Sequence, residues 1–273
     1  MDAKAFRRDL IEELKIRLRP VSSILGAWEG GSVATGYSDD LSDLDLYILV
    51  TDGGEDLAFG IVEEYLSRAF GIADTYSPPA APRSPSQPAP GRNWSQRFYR
   101  LSESPPLFYC DICVLPVSGE SGEFLERERN GDDPDIWFDK TGMIAPRAAD
   151  MDEIRRKGET AYRSLARGIW VLTTELRKQV IRGSFLEAYP LYAHLVMKTL
   201  VGLLNLKERP ARFDFGMRYI SREYPPRVAG LVESYLSGLT METLSRRAEG
   251  LIVLVEELVK EVGEGFGDES STD

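Results

Sequence analysis

Residues 43–50 read "DLDLYILV", and this segment constrains the fold more than any other part of the chain. The alternation of aspartate with leucine, followed by an apolar run, predicts a strand, because side chains two residues apart on a strand share a face. Asp43 and Asp45 are therefore expected to lie side by side. Neighbouring carboxylates repel each other and aspartate is a poor strand former, so we expect a cation to offset this cost.

The acidic balance of the chain limits its partners. The 273 residues include 33 Lys or Arg and 44 Asp or Glu, which gives a net charge of −11. Binding of long nucleic acid depends on neutralising many phosphates, and this charge argues against such a substrate. A single nucleotide remains compatible, because one small local patch can hold it. The length allows one large domain or two of ordinary size.

No segment of the sequence predicts a membrane span or a secretion signal. No stretch approaches the about 18 apolar residues that identify a spanning helix. The first residues, "MDAKAFRRDLIEELKIRLRP", are charged throughout and lack the apolar core of a signal peptide. We therefore predict a cytoplasmic protein with no membrane partner.

The first half of the chain predicts helices alternating with strands. Apolar residues at helical spacing predict helices at 2–19, at 55–71 and within 122–131. Short apolar or alternating segments predict strands at 22–29, 43–50, 95–101, 106–117 and 135–144. The segments 95–101 and 106–117 are expected to pair as a hairpin. Six prolines between residues 78 and 90 exclude a helix or central strand, so 78–91 is predicted as a surface loop.

From about residue 150 the pattern is helical throughout. Helices are predicted at 151–183, 185–206, 227–239 and 241–262. The predicted organisation is a first domain at 1–147, a helical domain at 148–263 and a disordered acidic tail at 264–273.

Two cysteines, Cys110 and Cys113, have the C-x-x-C spacing seen in zinc and redox sites. They fall in "LFYCDICVLP", which is typical of a buried strand, and residues three apart on a strand face opposite sides. The sequence contains no second cysteine pair, and its one histidine, His194, is distant. We favour two core cysteines over a metal or redox site, and we assign no role to His194.

A Gly-Ser pair precedes the two aspartates by about ten residues. Gly31 and Ser32 follow the strand at 22–29, and Ser32 is expected to cap a short helix. Backbone N–H groups and a hydroxyl at such a position suit a phosphate. Asp43 and Asp45 supply the hard oxygen ligands that Mg²⁺ prefers. Transfer of a nucleotide from a triphosphate requires a phosphate-binding turn beside carboxylates that bind a metal ion.

A third carboxylate is expected from a neighbouring strand, and Asp111 is the candidate. It stands alone among eight apolar or aromatic residues between Leu107 and Leu115. A lone aspartate in a buried strand is costly unless it is paired or bound to a metal. The alternative is an aspartate hydrogen-bonded to the backbone or to an arginine, such as Arg97 or Arg100.

The segment "GSVATGYSDDLSDLDLYILV" resembles the signature of the nucleotidyltransferase superfamily typified by DNA polymerase beta. The small-molecule branch of that superfamily includes the kanamycin, streptomycin and lincosamide nucleotidyltransferases and the minimal nucleotidyltransferases. The residues that fall in its pattern are Gly31, Ser32, Ala34, Gly36, Ser42, Asp43, Asp45 and Leu46. Asp111 matches the third acidic position, and "DKTG" at 139–142 resembles the Asp-x-x-Gly turn with which such domains often close. Val33 and Thr35 stand where relatives often carry basic residues.

This resemblance implies an α+β fold: a nucleotidyltransferase domain with a small mixed sheet, followed by an all-α helical bundle that binds substrate. It implies two Mg²⁺ ions held by Asp43, Asp45 and Asp111, with Asp111 as a possible general base. Gly31 and Ser32 would bind the β- and γ-phosphates of ATP or another nucleoside triphosphate. A basic residue on the second long helix, Lys198, is a candidate for the triphosphate, and Arg212 and Arg218 are further candidates.

The expected reaction transfers AMP from ATP to a hydroxyl of a small-molecule acceptor. A cationic acceptor such as an aminoglycoside antibiotic would suit the acidic surface. A protein side-chain hydroxyl or a tRNA end stays open as the acceptor. The alternative function is a nucleotide-binding or regulatory, antitoxin-like module of the same fold that has lost catalysis.

Overall fold

The computed structural model describes residues 3–78, 94–119 and 124–267. It divides into two compact units, Met1–Ala149 and Asp150–Asp273. The first contains a mixed six-stranded sheet with helices, and the described residues of the second form helices without strands. An α+β fold with a mixed sheet is therefore present. None of the helices in the described ranges is both long and apolar enough to cross a membrane.

The elements of the first unit agree with most of the predicted segments. Its helices are α1 (Ala3–Leu18), α2 (Gly31–Ala34), α3 (Glu55–Phe70) and α4 (Arg127–Asn130). Its strands are β1 (Ile24–Glu29), β2 (Leu44–Val50), β3 (Ile72–Tyr76), β4 (Ser95–Leu101), β5 (Tyr109–Pro116) and β6 (Asp135–Asp139). The predicted surface loop at 78–91 lies almost wholly outside the described residues.

The sheet has the strand order β3-β4-β5-β2-β1-β6. Strands β2 and β5 are parallel, and the other neighbours are antiparallel. The predicted hairpin of β4 with β5 is confirmed. Strand β3 was not predicted, because four of its five residues are exposed and it carries no alternating apolar pattern.

The two faces of the sheet bury different residues. Leu44, Leu46 and Ile48 of β2 pack in one cluster with the apolar residues of α1 and α3. Leu49 packs on the opposite face, in a smaller cluster with Trp28. Cys110 and Cys113 are both buried, one in each cluster. The prediction that they are core residues is confirmed.

The second unit contains two long helices and several shorter ones. Its elements are α5 (Met151–Arg182), α6 (Phe185–His194), a π-helical segment (Leu195–Leu200), α7 (Val201–Glu208), a 3₁₀ turn (Pro210–Arg212), α8 (Ile220–Glu223), α9 (Pro226–Leu236) and α10 (Met241–Phe266). The predicted helix at 185–206 thus contains a π-helical interruption. Helix α10 continues to Phe266, so the predicted disordered tail begins too early, and 268–273 lie outside the described residues.

Helix boundaries in the second unit follow the capping chemistry of the sequence. Asp150 accepts a hydrogen bond from the backbone N–H of Glu153 at 2.9 Å and starts α5. Thr240 and Thr243 form a reciprocal capping box at the start of α10. Helix α5 ends at Gly183, which has φ +68, a conformation that glycine adopts without steric cost.

A buried polar network organises the connection between α7 and α8. The Arg209 guanidinium donates to Asn205 Oδ1 at 2.7 Å, to Glu223 Oε2 at 2.6 Å and to the carbonyl of Gly216 at 2.7 Å. The Tyr224 hydroxyl donates to the same Asn205 Oδ1 at 2.5 Å. Arg209 and Glu223 have side chains only 7% and 10% exposed, so this ion pair is shielded from water.

We expect Arg209→Ala to lower the free energy of unfolding by about 3 kcal/mol, because it removes one of the two cations that pair with the buried Glu223 carboxylate and all four hydrogen bonds of the Arg209 guanidinium. The control is Arg177→Ala, which breaks an exposed pair with Glu249 and should cost less than about 1 kcal/mol. Urea unfolding followed by circular dichroism measures both. Equal losses in the two variants would contradict the buried-network interpretation.

Candidate active site

The parallel pairing of β2 with β5 brings two of the predicted carboxylates together. Asp45 and Asp111 are direct register partners, as are Leu44 with Cys110 and Leu46 with Ile112. Because register partners project to the same face, the side chains of Asp45 and Asp111 lie on one face of the sheet, about 4.8 Å apart in strand spacing. Their leucine and isoleucine neighbours are buried on the other face.

Asp43 lies just before β2 and is held by Tyr109. Both the hydroxyl and the backbone N–H of Tyr109 donate to the Asp43 carboxylate. Burial raises the pKa of Asp43 above its usual value and the charge of Asp45 adds to this, while the bonds from Tyr109 oppose it. Asp43 Oδ1 is buried and has no hydrogen-bond partner among the described residues. Burial and the bond to Asp43 also raise the pKa of the Tyr109 hydroxyl.

The glycine turn before α2 lies directly against Asp45. The N–H of Gly30 donates to the Asp45 carbonyl at 3.1 Å. A Cβ added at Gly31, which has φ +55, would overlap Asp45 Oδ2. Only glycine allows the backbone to approach this carboxylate so closely in this conformation.

Ser32 does not cap α2 as predicted. The residue before the helix is Gly30, which makes no side-chain capping bond, and Ser32 is the second residue of α2. The reason is that the turn is set by Gly30 and Gly31, so the helix begins two residues earlier than a cap at Ser32 would require. The first N–H groups of a helix have no partner within it, so Gly31 and Ser32 remain candidates for binding an anion.

Asp111 is held by an amide that the sequence did not indicate. Gln96 Nε2 donates to Asp111 Oδ1 at 2.7 Å and to Oδ2 at 2.9 Å. The predicted alternative partners are engaged elsewhere in the described part of the chain: Arg97 pairs with Glu63 at 2.8 Å and Arg100 with Asp74 at 3.4 Å. Arg97 occupies the β4 position next to Gln96, so it projects to the opposite face, towards α3.

Arg7 is a charged residue near the carboxylates that sequence reasoning missed. It pairs with Glu29, which is 1% exposed, and the charges of Asp45 and Asp135 act on it. Burial lowers the pKa of its guanidinium, and Arg7 Nε has no hydrogen-bond partner in the described ranges. A signal was present, because Arg7 occupies the same helical stripe as Ile11, Leu14 and Leu18.

The predicted basic residues of the helical unit have varied surroundings. Lys198 is exposed on the π-helical segment Leu195–Leu200. Arg212 is bound to Glu223, and the guanidinium of Arg218 lies over the rings of Phe215 and Tyr219. Contact of any of them with a triphosphate stays a prediction.

Asp43 and Asp45 are the candidate ligands for a divalent ion. The unpartnered Asp43 Oδ1 and the neighbouring Asp45 provide oxygen ligands of the kind that Mg²⁺ prefers. In the side-chain positions observed for 3–78, 94–119 and 124–267, no group of three or more His, Cys, Asp or Glu is arranged to hold a metal ion. Both Asp111 oxygens are bonded to Gln96. The residues therefore fit one ion on Asp43 and Asp45, and a contribution from Asp111 requires release by Gln96.

Comparison with known proteins does not identify a family. No family model matches the chain, and no curated protein matches it.

We expect Gly31→Ala to destabilise the first unit more than Gly36→Ala. Both glycines have positive φ, but a Cβ at Gly36 meets nothing within 4 Å, so that variant carries only the backbone cost of about 1–2 kcal/mol. The additional loss in Gly31→Ala reports its contact with Asp45. Thermal melting measures both, and the second substitution in Gly31→Ala/Asp45→Ala should recover the difference. Equal losses in the two single variants would contradict the contact.

We expect Asp43→Asn to raise the melting temperature at pH 7 by about 1–3 °C, because it removes a partly buried charge beside Asp45. The folded pKa of Asp43 lies above its unfolded value, so the aspartate is better tolerated when protonated. The gain should therefore disappear as the pH falls through the raised pKa. Thermal melts from pH 3 to pH 8 measure this, and a gain independent of pH would contradict it.

Proposed function

We propose that the protein is a Mg²⁺-dependent nucleotidyltransferase that transfers a nucleoside monophosphate, AMP from ATP, to a hydroxyl of a small-molecule acceptor. The observation that carries this proposal is the register of Asp45 with Asp111, with the Gly30–Gly31 turn packed against Asp45. Carboxylates beside the backbone N–H groups at a helix start can hold a triphosphate at its reacting phosphorus.

Each residue has a distinct part in the proposed reaction. Asp43 and Asp45 hold the divalent ion, which neutralises phosphate charge when bound. The N–H groups of Gly31 and Ser32 bind the β- and γ-phosphates. The acceptor oxygen forms a bond to the α-phosphorus, the bond from that phosphorus to the bridging oxygen breaks, and pyrophosphate leaves. Asp111, once released by Gln96, accepts the hydroxyl proton.

In this proposal the two units have different roles. The sheet unit, predicted at 1–147, is the catalytic domain, and the helical unit, predicted at 148–263, binds substrate. Lys198 is proposed to contact the triphosphate, and a second Mg²⁺ is proposed at Asp111. The net charge of −11 favours small substrates over long nucleic acid. We also propose a cytoplasmic location.

A second candidate function is a nucleotide-binding or regulatory module without catalysis. The bond of Gln96 to both Asp111 oxygens favours it, because a carboxylate held in this way is less available as a metal ligand or base. The same residues would then bind a nucleotide without transferring it.

We expect incubation with ATP labelled at the α-phosphate, Mg²⁺ and a panel of hydroxyl acceptors to give labelled product and pyrophosphate. Asp45→Asn should reduce this turnover by about 10²–10³-fold, because it removes the charge that holds the ion, and EDTA should abolish it. The control is Asp40→Asn, which alters an exposed aspartate in the turn before β2. ATP binding without turnover would favour the binding module, and no ATP binding would contradict both functions.

A further inference from the structure

The carboxylates belong to a row of residues that crosses four strands. The register partners run from Tyr76 on β3 to Phe98 on β4, then to Asp111 on β5 and Asp45 on β2. All four side chains therefore lie on one face of the sheet. A second row on that face joins Asp74, Arg100 and Tyr109, and Tyr109 is bonded to Asp43.

Aromatic rings continue this face directly beyond Asp111. The rings of Tyr76 and Phe98 are stacked at 6.0 Å between centroids, and those of Phe98 and Tyr109 are tilted at 6.0 Å. Tyr76 is 59% exposed and Tyr109 is 38% exposed. The bond from the Tyr109 hydroxyl to Asp43 links this aromatic surface to the carboxylates.

A cavity of about 640 Å³ lies over these rings. Tyr76, Phe98 and Tyr109 form one side of it, and Leu107 from the β4–β5 connection contributes to its lining. Leu107 is 81% exposed and has φ +69, a conformation that is unusual for a leucine. The volume is that of a small-molecule site.

The order of groups across the sheet indicates whether this cavity lies on the pyrophosphate side or the acceptor side of the proposed reaction. The Gly30–Gly31 turn lies on one side of Asp45, and Asp111 followed by Phe98 lies on the other. In an in-line displacement the attacking oxygen approaches opposite the leaving group. If pyrophosphate leaves at the glycine turn, the acceptor approaches from Phe98, which is two strand spacings, or about 10 Å, from Asp45.

The charged residues that line the cavity indicate which kind of acceptor it can bind. Its charged residues Asp74 and Arg100 form an ion pair with each other at 3.4 Å, so they leave no net charge. Stacked aromatic rings bind flat rings and apolar ring faces. A polycation would find no unpaired anion among these two side chains. The cavity therefore favours an uncharged acceptor over the cationic acceptor that the acidic surface suggested.

We propose that this cavity is the acceptor subsite and that the acceptor is an uncharged hydroxyl compound with an aromatic ring, which stacks on Phe98 and Tyr76. This inference rests on the proposed nucleotidyl transfer for the role of the ligand. Binding of the aromatic ring depends only on the cavity, so ring binding and nucleotidyl transfer can be tested separately.

Binding is tested with the full chain and two neutral aromatic polyols, 4-nitrophenyl β-D-glucoside and 4-nitrophenyl β-D-galactoside, with kanamycin as the polycationic comparison. We expect saturation-transfer NMR and titration calorimetry to detect at least one glycoside, and kanamycin to bind at least about tenfold more weakly. Phe98→Ala and Tyr76→Ala should each weaken glycoside binding by about tenfold, through loss of stacking. Phe98→Tyr and Tyr76→Phe should retain it.

Two controls separate this result from misfolding and from failure of the catalytic proposal. Trp170→Ala removes an exposed aromatic side chain of the helical unit and should leave binding unchanged. Asp45→Asn should bind the glycoside as the wild type does while losing transfer. In the transfer assay, Tyr76→Ala should raise the KM of the acceptor and leave that of ATP unchanged.

The outcomes distinguish the two proposals. Glycoside binding that depends on Phe98 and Tyr76, without transfer from ATP, would keep the ring site and overturn nucleotidyl transfer. Failure of both glycosides to bind, tighter binding of kanamycin, or binding unaffected by Tyr76→Ala would overturn the acceptor subsite. Since Tyr76 is exposed on an edge strand, its variant remains informative if Phe98→Ala does not fold.

Discussion

The parallel pairing of β2 with β5 is the interaction on which the candidate site depends. It places Asp45 opposite Asp111 while their neighbours Leu46 and Ile112 are buried on the other face. A shift of one residue in either strand would move a carboxylate into the apolar cluster, which would cost several kcal/mol. Burial of one face therefore fixes the carboxylates on the other. The aromatic row at Phe98 follows from the same register through β4.

Polar groups are buried in both units, but their hydrogen bonding differs. In the helical unit, Arg209 is bonded to a carboxylate, an amide oxygen and backbone carbonyls, as expected for a structural network. Near the carboxylates of the sheet unit, buried polar atoms of Arg7, Glu29 and Asp43 lack hydrogen-bond partners within the described residues. Unsatisfied buried groups are expensive, so a polar group that reached any of these three atoms would lower that cost.

The sequence patterns predicted backbone elements better than side-chain partners. The strand predicted at 95–101 matches Ser95–Leu101, and the helix at 55–71 ends one residue early, at Phe70. The exposed strand Ile72–Tyr76 was missed, because an edge strand without a buried face has no apolar alternation. Gln96 was missed for another reason: its contact with Asp111 joins adjacent antiparallel strands diagonally, and the sequence does not encode which residues oppose each other.

The amino-acid sequence was enough to single out the candidate residues: paired aspartates in a strand, a lone Asp111 among apolar residues, and a glycine turn before α2. Local periodicity and the polarity of each side chain are enough to select these residues, because both can be read from neighbouring positions along the chain. The bonds of Tyr109 to Asp43 and of Gln96 to Asp111, and the proximity of Arg7 to Asp45, became visible in the folded structure. These contacts depend on strand order, register and the packing of α1, which arise from burying apolar surface across the whole unit.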